Sequence, residues 1–129
     1  LFRSPPVLVC CLYRPPSAKE SYYNALVDQI EMAVNEGQHL IILGDFNINY
    51  SIDDNNDTHP IRLLETTFDL TQLIYDPTRV TPKSSSTIDL ILTNCPDKHT
   101  VTSVLKYSIS DHYLIYTVVS MKIPRKMPR

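Results

Sequence analysis

A chain of 129 residues is long enough for one domain or a large part of one, and 43% hydrophobic with 20% charged residues is the balance of a folded protein, not a disordered one. The net charge of −2 is unevenly spread: Lys122, Arg125, Lys126 and Arg129 close the chain without an acid, which leaves eight basic against fourteen acidic residues before them. An acidic body is not the footprint of a broad nucleic-acid surface but suits carboxylates gathered around a divalent cation, and the basic 121–129 stretch reads as a solvated tail on a 1–120 domain.

Cys10, Cys11 and Cys95 have no zinc-site spacing, and so sparse and odd a count predicts buried thiols in a reducing compartment. The longest apolar run, residues 7–12, is too short to cross a bilayer, and no secretory signal opens the chain. Leu1 in place of an initiator methionine reads as a start inside a longer sequence.

Residues 7–13 form a continuous apolar run, expected as a strand buried on both faces and stopped by Pro15-Pro16. Tyr13 then sits at the strand's end. Ser17-Ala18-Lys19-Glu20 has the capping-box pattern, with Ser17 as the cap. Tyr23, Leu26, Val27, Ile30, Ala33 and Val34 follow at helical spacing and Gly37 suits the C′ position, so residues 18–36 are expected as an amphipathic helix. The run from His39 to Leu43 predicts a second buried strand, parallel to the first across a helical crossover. Gly44 then marks a turn or a close backbone approach. Asp45 and Asn47, two apart, point to one side if the chain stays extended. These residues equally fit a strand running into an Asp/Asn turn.

Asp53, Asp54 and Asp57 lie in a polar loop that lacks the glycine and closing Glu of a calcium loop. Thr58 is placed to cap a second helix with Pro60 in its first turn and Ile61, Leu64 and Phe68 on its apolar face. A short strand is expected at 70–74, then a flexible polar loop from Asp76 through Ser86. Residues 87–93 read as a third strong strand, and Asp89 is its anomaly, because a carboxylate within an apolar strand requires a donor. Strands at 101–107 and 113–119 flank Ser108-Ile109-Ser110-Asp111-His112.

Asp45/Asn47, Asp89 and Asp111-His112 thus place polar groups on strands or strand ends with no evident packing role. Asp89 is the natural carboxylate for His112. A carboxylate–imidazole pair with a second carboxylate and an amide suits a divalent metal, a phosphate and a nucleophilic water.

Gly44-Asp45-Phe46-Asn47, Ser86-Thr87-Ile88-Asp89 and Ser110-Asp111-His112, in this order, resemble the motifs of the endonuclease/exonuclease/phosphatase superfamily. Tyr13-Arg14-Pro15-Pro16 resembles its upstream Tyr-x-Pro element. The 41–47 and 86–94 stretches are most similar to the apurinic-like endonuclease domain of non-LTR (LINE-type) retrotransposon polyproteins. The resemblance covers roughly residues 7–120 and implies an α/β fold. It further implies the C-terminal half of a four-layer α/β sandwich: a mixed sheet covered by helices, with the partner sheet missing.

The resemblance also implies roles. Asp45 would orient or deprotonate the attacking water, Asn47 would position it and the phosphate, and His112, held by Asp89, would contact the scissile phosphate. Asp111 would serve Mg²⁺ (or Mn²⁺), Tyr13 would donate to a phosphate oxygen, and Ser110 and Thr81 are further phosphate contacts. The family's early Asn and its metal-binding Glu have no counterpart before Tyr13, so little or no activity is expected of the chain alone. Implied partners are DNA as substrate, the N-terminal half of the domain and a reverse transcriptase in the same polyprotein, in an intracellular setting, nuclear or cytoplasmic, with no membrane. Two alternatives remain open at this point: a phosphoesterase acting on an inositol phosphate or lipid headgroup, and a non-catalytic interaction module.

Overall fold

The structure, a computed structural model, describes residues 6–51, 56–107 and 109–121; Asp53, Asp54, Ser108 and the basic residues after 121 lie outside it. The chain opens with the expected crossover unit. Strand β1 (Val7–Tyr13) pairs in parallel with β2 (His39–Asp45), from Val7 opposite His39 to Tyr13 opposite Asp45. Helix α1 (Glu20–Asn35) links them and buries Leu26 and Ile30 against the sheet. It stops as predicted: Gly37 takes φ +66° and its N–H donates to the Val34 carbonyl at 3.1 Å.

Two expectations for this unit fail. β1 is an edge strand whose burial alternates, with Val9 55% and Tyr13 62% exposed, so an unbroken apolar run does not here mean cover on both faces. The capping box is not used either. The Ala18 N–H donates to the Pro15 carbonyl, which ties Ser17 into a turn, and Lys19 becomes the N-cap with no side-chain bond.

Strand β6 (Asp89–Thr93) lies antiparallel to β2, and the short β3 (Thr71–Gln72) antiparallel to β6, which gives a mixed sheet of order β1-β2-β6-β3. Alternation sends its side chains into two cores. On one face Leu40, Ile42, Leu90 and Leu92 meet α1 and helix α2 (Pro60–Phe68) through Leu26, Ile30, Ile61 and Leu64. On the other, Ile41 and Ile91 meet Ile74 and Val104. Each such Leu or Ile contributes about 1.5–3 kcal/mol over leaving it exposed, so both faces are held chiefly by apolar burial.

Strands β7 (His99–Leu105) and β8 (Leu114–Val119) form a separate antiparallel ribbon that supplies Val104, Ile115 and Val119 to the second core. The predicted flexible loop at 76–86 is instead largely a hairpin, β4 (Arg79–Thr81) against β5 (Ser84–Ser86). Pro82-Lys83 make its turn, and the serines pair through their backbones despite a composition that suggests a linker. The cap of α2 is His59, whose Nδ1 accepts from the Ile61 N–H at 3.2 Å, while the Thr58 hydroxyl bonds Asn56. Of the cysteines only Cys95 is buried; Cys10 is half-buried and Cys11 exposed, because the edge strand leaves its outer positions open. No helix among the described residues is long and apolar enough to cross a membrane.

Candidate active site

Three strands end in one row. Tyr13 of β1 lies opposite Asp45 of β2, and Asp45 lies opposite Asp89 of β6. Gly44 permits this: its backbone turns through φ +150°, and a Cβ there would stand 1.8 Å from the Leu12 carbonyl oxygen on β1. The glycine therefore serves a close approach of two backbones. After Asp45 the chain leaves the strand. Phe46 is fully buried and its N–H donates to the Ile88 carbonyl at 2.9 Å, which ties the loop to β6.

Asn47 adopts φ +48°, a left-handed conformation that asparagine tolerates. Its relation to Asp45 is thus not the extended alternation expected from the sequence. The Asn47 N–H donates to Asp45 Oδ1 at 3.0 Å and its Nδ2 to the Arg14 carbonyl at 2.7 Å. The Arg14 N–H in turn donates to the Asp45 carbonyl at 2.8 Å. The two ends of the parallel pair are locked together through Asn47.

Asp89 finds the donor it requires. His112 Nδ1 lies 2.9 Å from Asp89 Oδ2, with the histidine side chain 33% and the carboxylate 14% exposed. A carboxylate only accepts, so the shared proton sits on Nδ1 and Nε2 is left for another partner.

The 76–81 segment delivers His112. Arg79 bridges His112 through the backbone, the Val80 N–H donates to the Asp111 carbonyl at 2.9 Å and the Tyr113 N–H to the Thr78 carbonyl at 2.7 Å. Buried Thr78 also holds the other partner: its Oγ1 accepts the N–H groups of Ile88 at 3.1 Å and Asp89 at 3.0 Å. Thr78→Val preserves shape but strips a buried N–H, that of Ile88, and a part-buried one, that of Asp89, of their acceptor. It is expected to lower stability by about 1–3 kcal/mol, read as a lower midpoint in urea denaturation with an unchanged slope.

The Asp45 carboxyl is held above its ordinary value, first by burial and then by the neighbouring Asp89 charge, against the pull of the Asn47 N–H, His112 and Arg79. Oxygens of Asp45 and Asp89 and a ring nitrogen of His112 lie within 4.8 Å of one another. Two carboxylates facing across a ladder repel, and a hard divalent cation with a preference for oxygen relieves that repulsion. The donor set fits such an ion through Asp45 and Asp89. His112 is engaged by Asp89, and imidazole suits softer metals.

The other expected site residues sit around this cluster. Asp111 is half-exposed and its Oδ2 lies 3.1 Å from Arg79 Nε; that bond holds its carboxyl below the usual range. Ser110 is exposed and turned onto its own loop, accepting from the His112 N–H and donating to the His112 carbonyl, both at 3.1 Å. Thr81 is likewise occupied by its hairpin, its Oγ1 taking the N–H groups of Lys83 and Ser84. Tyr13 leaves its ring exposed while its carbonyl accepts from the Tyr22 hydroxyl. Sequence reasoning missed Thr78 and Arg79, which sit in a stretch with loop composition. Pro77 just before Thr78 marks a loop and signals nothing about a site.

No curated protein matches the chain. Among solved structures, the endonuclease domain of TRAS1, a telomere-specific non-LTR retrotransposon, superposes with a TM-score of 0.65 at 19% identity, over 86% of this chain and 56% of that one. The two share a fold, and this chain spans little more than half of that domain's length. The family profile described as endonuclease-reverse transcriptase matches residues 7–116, and with the strand-end motifs in place the chain belongs to that family.

Proposed function

We propose that the chain is the C-terminal part of a DNA-nicking endonuclease that hydrolyses a phosphodiester with the aid of Mg²⁺ or Mn²⁺, within a retrotransposon polyprotein that also carries a reverse transcriptase. The observation that carries this reading is the convergence of Asp45, Asp89 and His112, the last two joined at 2.9 Å. Asp45, its carboxylate oriented at the strand end by the Asn47 N–H, suits a general base that takes the proton of the attacking water. The water oxygen bonds phosphorus, and the sugar oxygen leaves with its electron pair and is protonated by solvent. His112 donates Nδ1–H to Asp89 and, in its protonated form, donates Nε2–H to the phosphate oxygens. Tyr13 and Asn47 flank the row and orient water and phosphate. A cation held by Asp45 and Asp89 would supply charge neutralisation at the phosphate. Asp111 is a further candidate ligand, and the family's Glu would come from the N-terminal half. The setting is intracellular, nuclear or cytoplasmic.

The test is nicking of supercoiled plasmid in Mg²⁺ by the domain with its N-terminal half and by the 129-residue chain alone. The joined domain should nick, and Asp45→Asn should slow it by roughly 10²–10⁴-fold, the range for loss of a general base. Full activity in the isolated chain, or in Asp45→Asn, would count against the assignment.

A further inference from the structure

The row that faces the substrate is rich in negative charge: Asp45 and Asp89 lie together with His112, and Asp111 precedes that histidine in the chain. A phosphodiester approaching it needs fixed positive charge as well as any bound cation. The side chains that pull the Asp45 carboxyl down are His112 and Arg79, and of the two the guanidinium is the permanent cation.

Arg79 is held unusually well for an exposed side chain. Its backbone is clamped on both sides, opposite Ser86 in the hairpin and opposite His112 in an antiparallel bridge. Residues directly opposite in such a ladder project to the same face, so the Arg79 side chain leaves the backbone on the side that His112 uses. Its neighbour Thr78 holds the backbone of Asp89, which ties Arg79 to the catalytic pair through one residue. The guanidinium spends only Nε, on Asp111 Oδ2 at 3.1 Å; its two terminal nitrogens have no hydrogen-bond partner among the described residues. With the side chains 44% and 49% exposed, the ion pair is screened by solvent and adds little to stability. Its effect is orientation: an arginine held at Nε presents a planar fork of free donors, the geometry that matches phosphate oxygens.

We propose that Arg79 is the phosphodiester-binding cation of this site, gripping non-bridging oxygens of the DNA backbone beside His112, and that Asp111 is the positioning residue that aims it. This rests on the phosphodiesterase reading above but assigns Asp111 a task other than metal ligation.

The experiment has two arms. In the first, with EDTA present so that no hydrolysis is required, thymidylyl-thymidine is titrated into the chain and the Arg79 Nε–H signal is followed by NMR, with sulfate as a control anion. The signal should shift with the dinucleotide more than with sulfate, and Arg79→Gln should weaken binding at least about 10-fold, as loss of a charge-assisted fork implies. In the second arm, plasmid nicking by the domain joined to its N-terminal half is measured across Mg²⁺ concentrations. Arg79→Gln should lower turnover roughly 100-fold, the scale for loss of a preorganised donor. Arg79→Lys should recover part of that loss. Asp111→Asn should lower turnover by a smaller factor at an unchanged Mg²⁺ requirement, and the double variant should be no worse than Arg79→Gln, because both act through one group.

Dinucleotide binding and nicking by Arg79→Gln equal to the unmodified protein would overturn the proposal. So would an Asp111→Asn variant whose defect is cured by excess Mg²⁺, which would make Asp111 a ligand. If the unmodified domain does not nick at all, the nuclease reading fails, and the binding arm still decides whether Arg79 takes a phosphodiester.

Discussion

Gly44→Ala is expected to destabilise the chain by more than about 4 kcal/mol, in the range reserved for severe steric or strain defects, and to remove the site with the fold. The methyl carbon would stand 1.8 Å from the Leu12 carbonyl oxygen, 2.7 Å from its carbon and 2.9 Å from its nitrogen. All three are backbone atoms, so no side-chain rotation relieves the clash. β1 must move away from β2. That separates the Arg14 N–H from the Asp45 carbonyl and Asn47 Nδ2 from the Arg14 carbonyl, and it takes Tyr13 out of the row. Gly37→Ala is the control. Gly37 has φ +66° but nothing within 4 Å of its Cβ position, so it should cost only about 1 kcal/mol of conformational strain. Urea denaturation of the two variants checks both values, and a Gly44→Ala protein within 1 kcal/mol of Gly37→Ala, at the ~1 kcal/mol scale of backbone strain alone, would show that the strands slide past the clash.

The contrast between the two glycines shows what was legible in the sequence. At Gly37 a local rule sufficed, since an apolar helical period ending in glycine specifies its own stop. At Gly44 the sequence allows a turn or a close approach, but the neighbour across from it is Leu12, which is 32 positions away and invisible to any local pattern. The same limit explains the other outcomes. The crossover unit, the α1 face and the Asp89–His112 pair followed from periodicity and from the cost of a lone buried carboxylate. The burial of β1 did not, because a strand's place in the sheet is a long-range property: the run at 7–13 has a centre-strand composition at an edge position. Ser17 lost the cap of α1 to a Pro15 turn, and Thr58 lost that of α2 to His59. Thr78 and Arg79 lay in a stretch whose prolines and serines suggest a loop, yet tertiary pairing with Ser86 and His112 orders it.

Asp89→Asn should separate stability from activity. Asp89 does two opposed things. It orients His112 through Nδ1, and it places a second negative charge directly opposite Asp45, where it helps to raise that carboxyl. The asparagine is nearly isosteric and keeps the Thr78 hydroxyl bond to the backbone N–H of residue 89, so the strand end is preserved. Loss of the charged bond to His112 is destabilising by about 1.5–3 kcal/mol, while relief of the like-charge pair returns about 0.2–1 kcal/mol. The net stability loss is therefore a small part of the 5–15 kcal/mol typical of a domain, and the variant should stay folded. Activity should fall far more, roughly 10²–10⁴-fold, because an amide can donate as well as accept and no longer fixes the imidazole proton on Nδ1. The Asp45 carboxyl should titrate lower in Asp89→Asn than in the unmodified protein, since a neighbour that raised it has lost its charge. Carbon-detected NMR of the Asp45 carboxyl gives that shift, and plasmid nicking by the domain joined to its N-terminal half gives the rate. His112→Gln should lose about as much activity as Asp89→Asn, and the double variant little more than either, as residues acting as a unit do. Additive losses would mean that Asp89 acts independently of His112, and the 2.9 Å contact would then be packing between neighbours rather than the device that aims the imidazole.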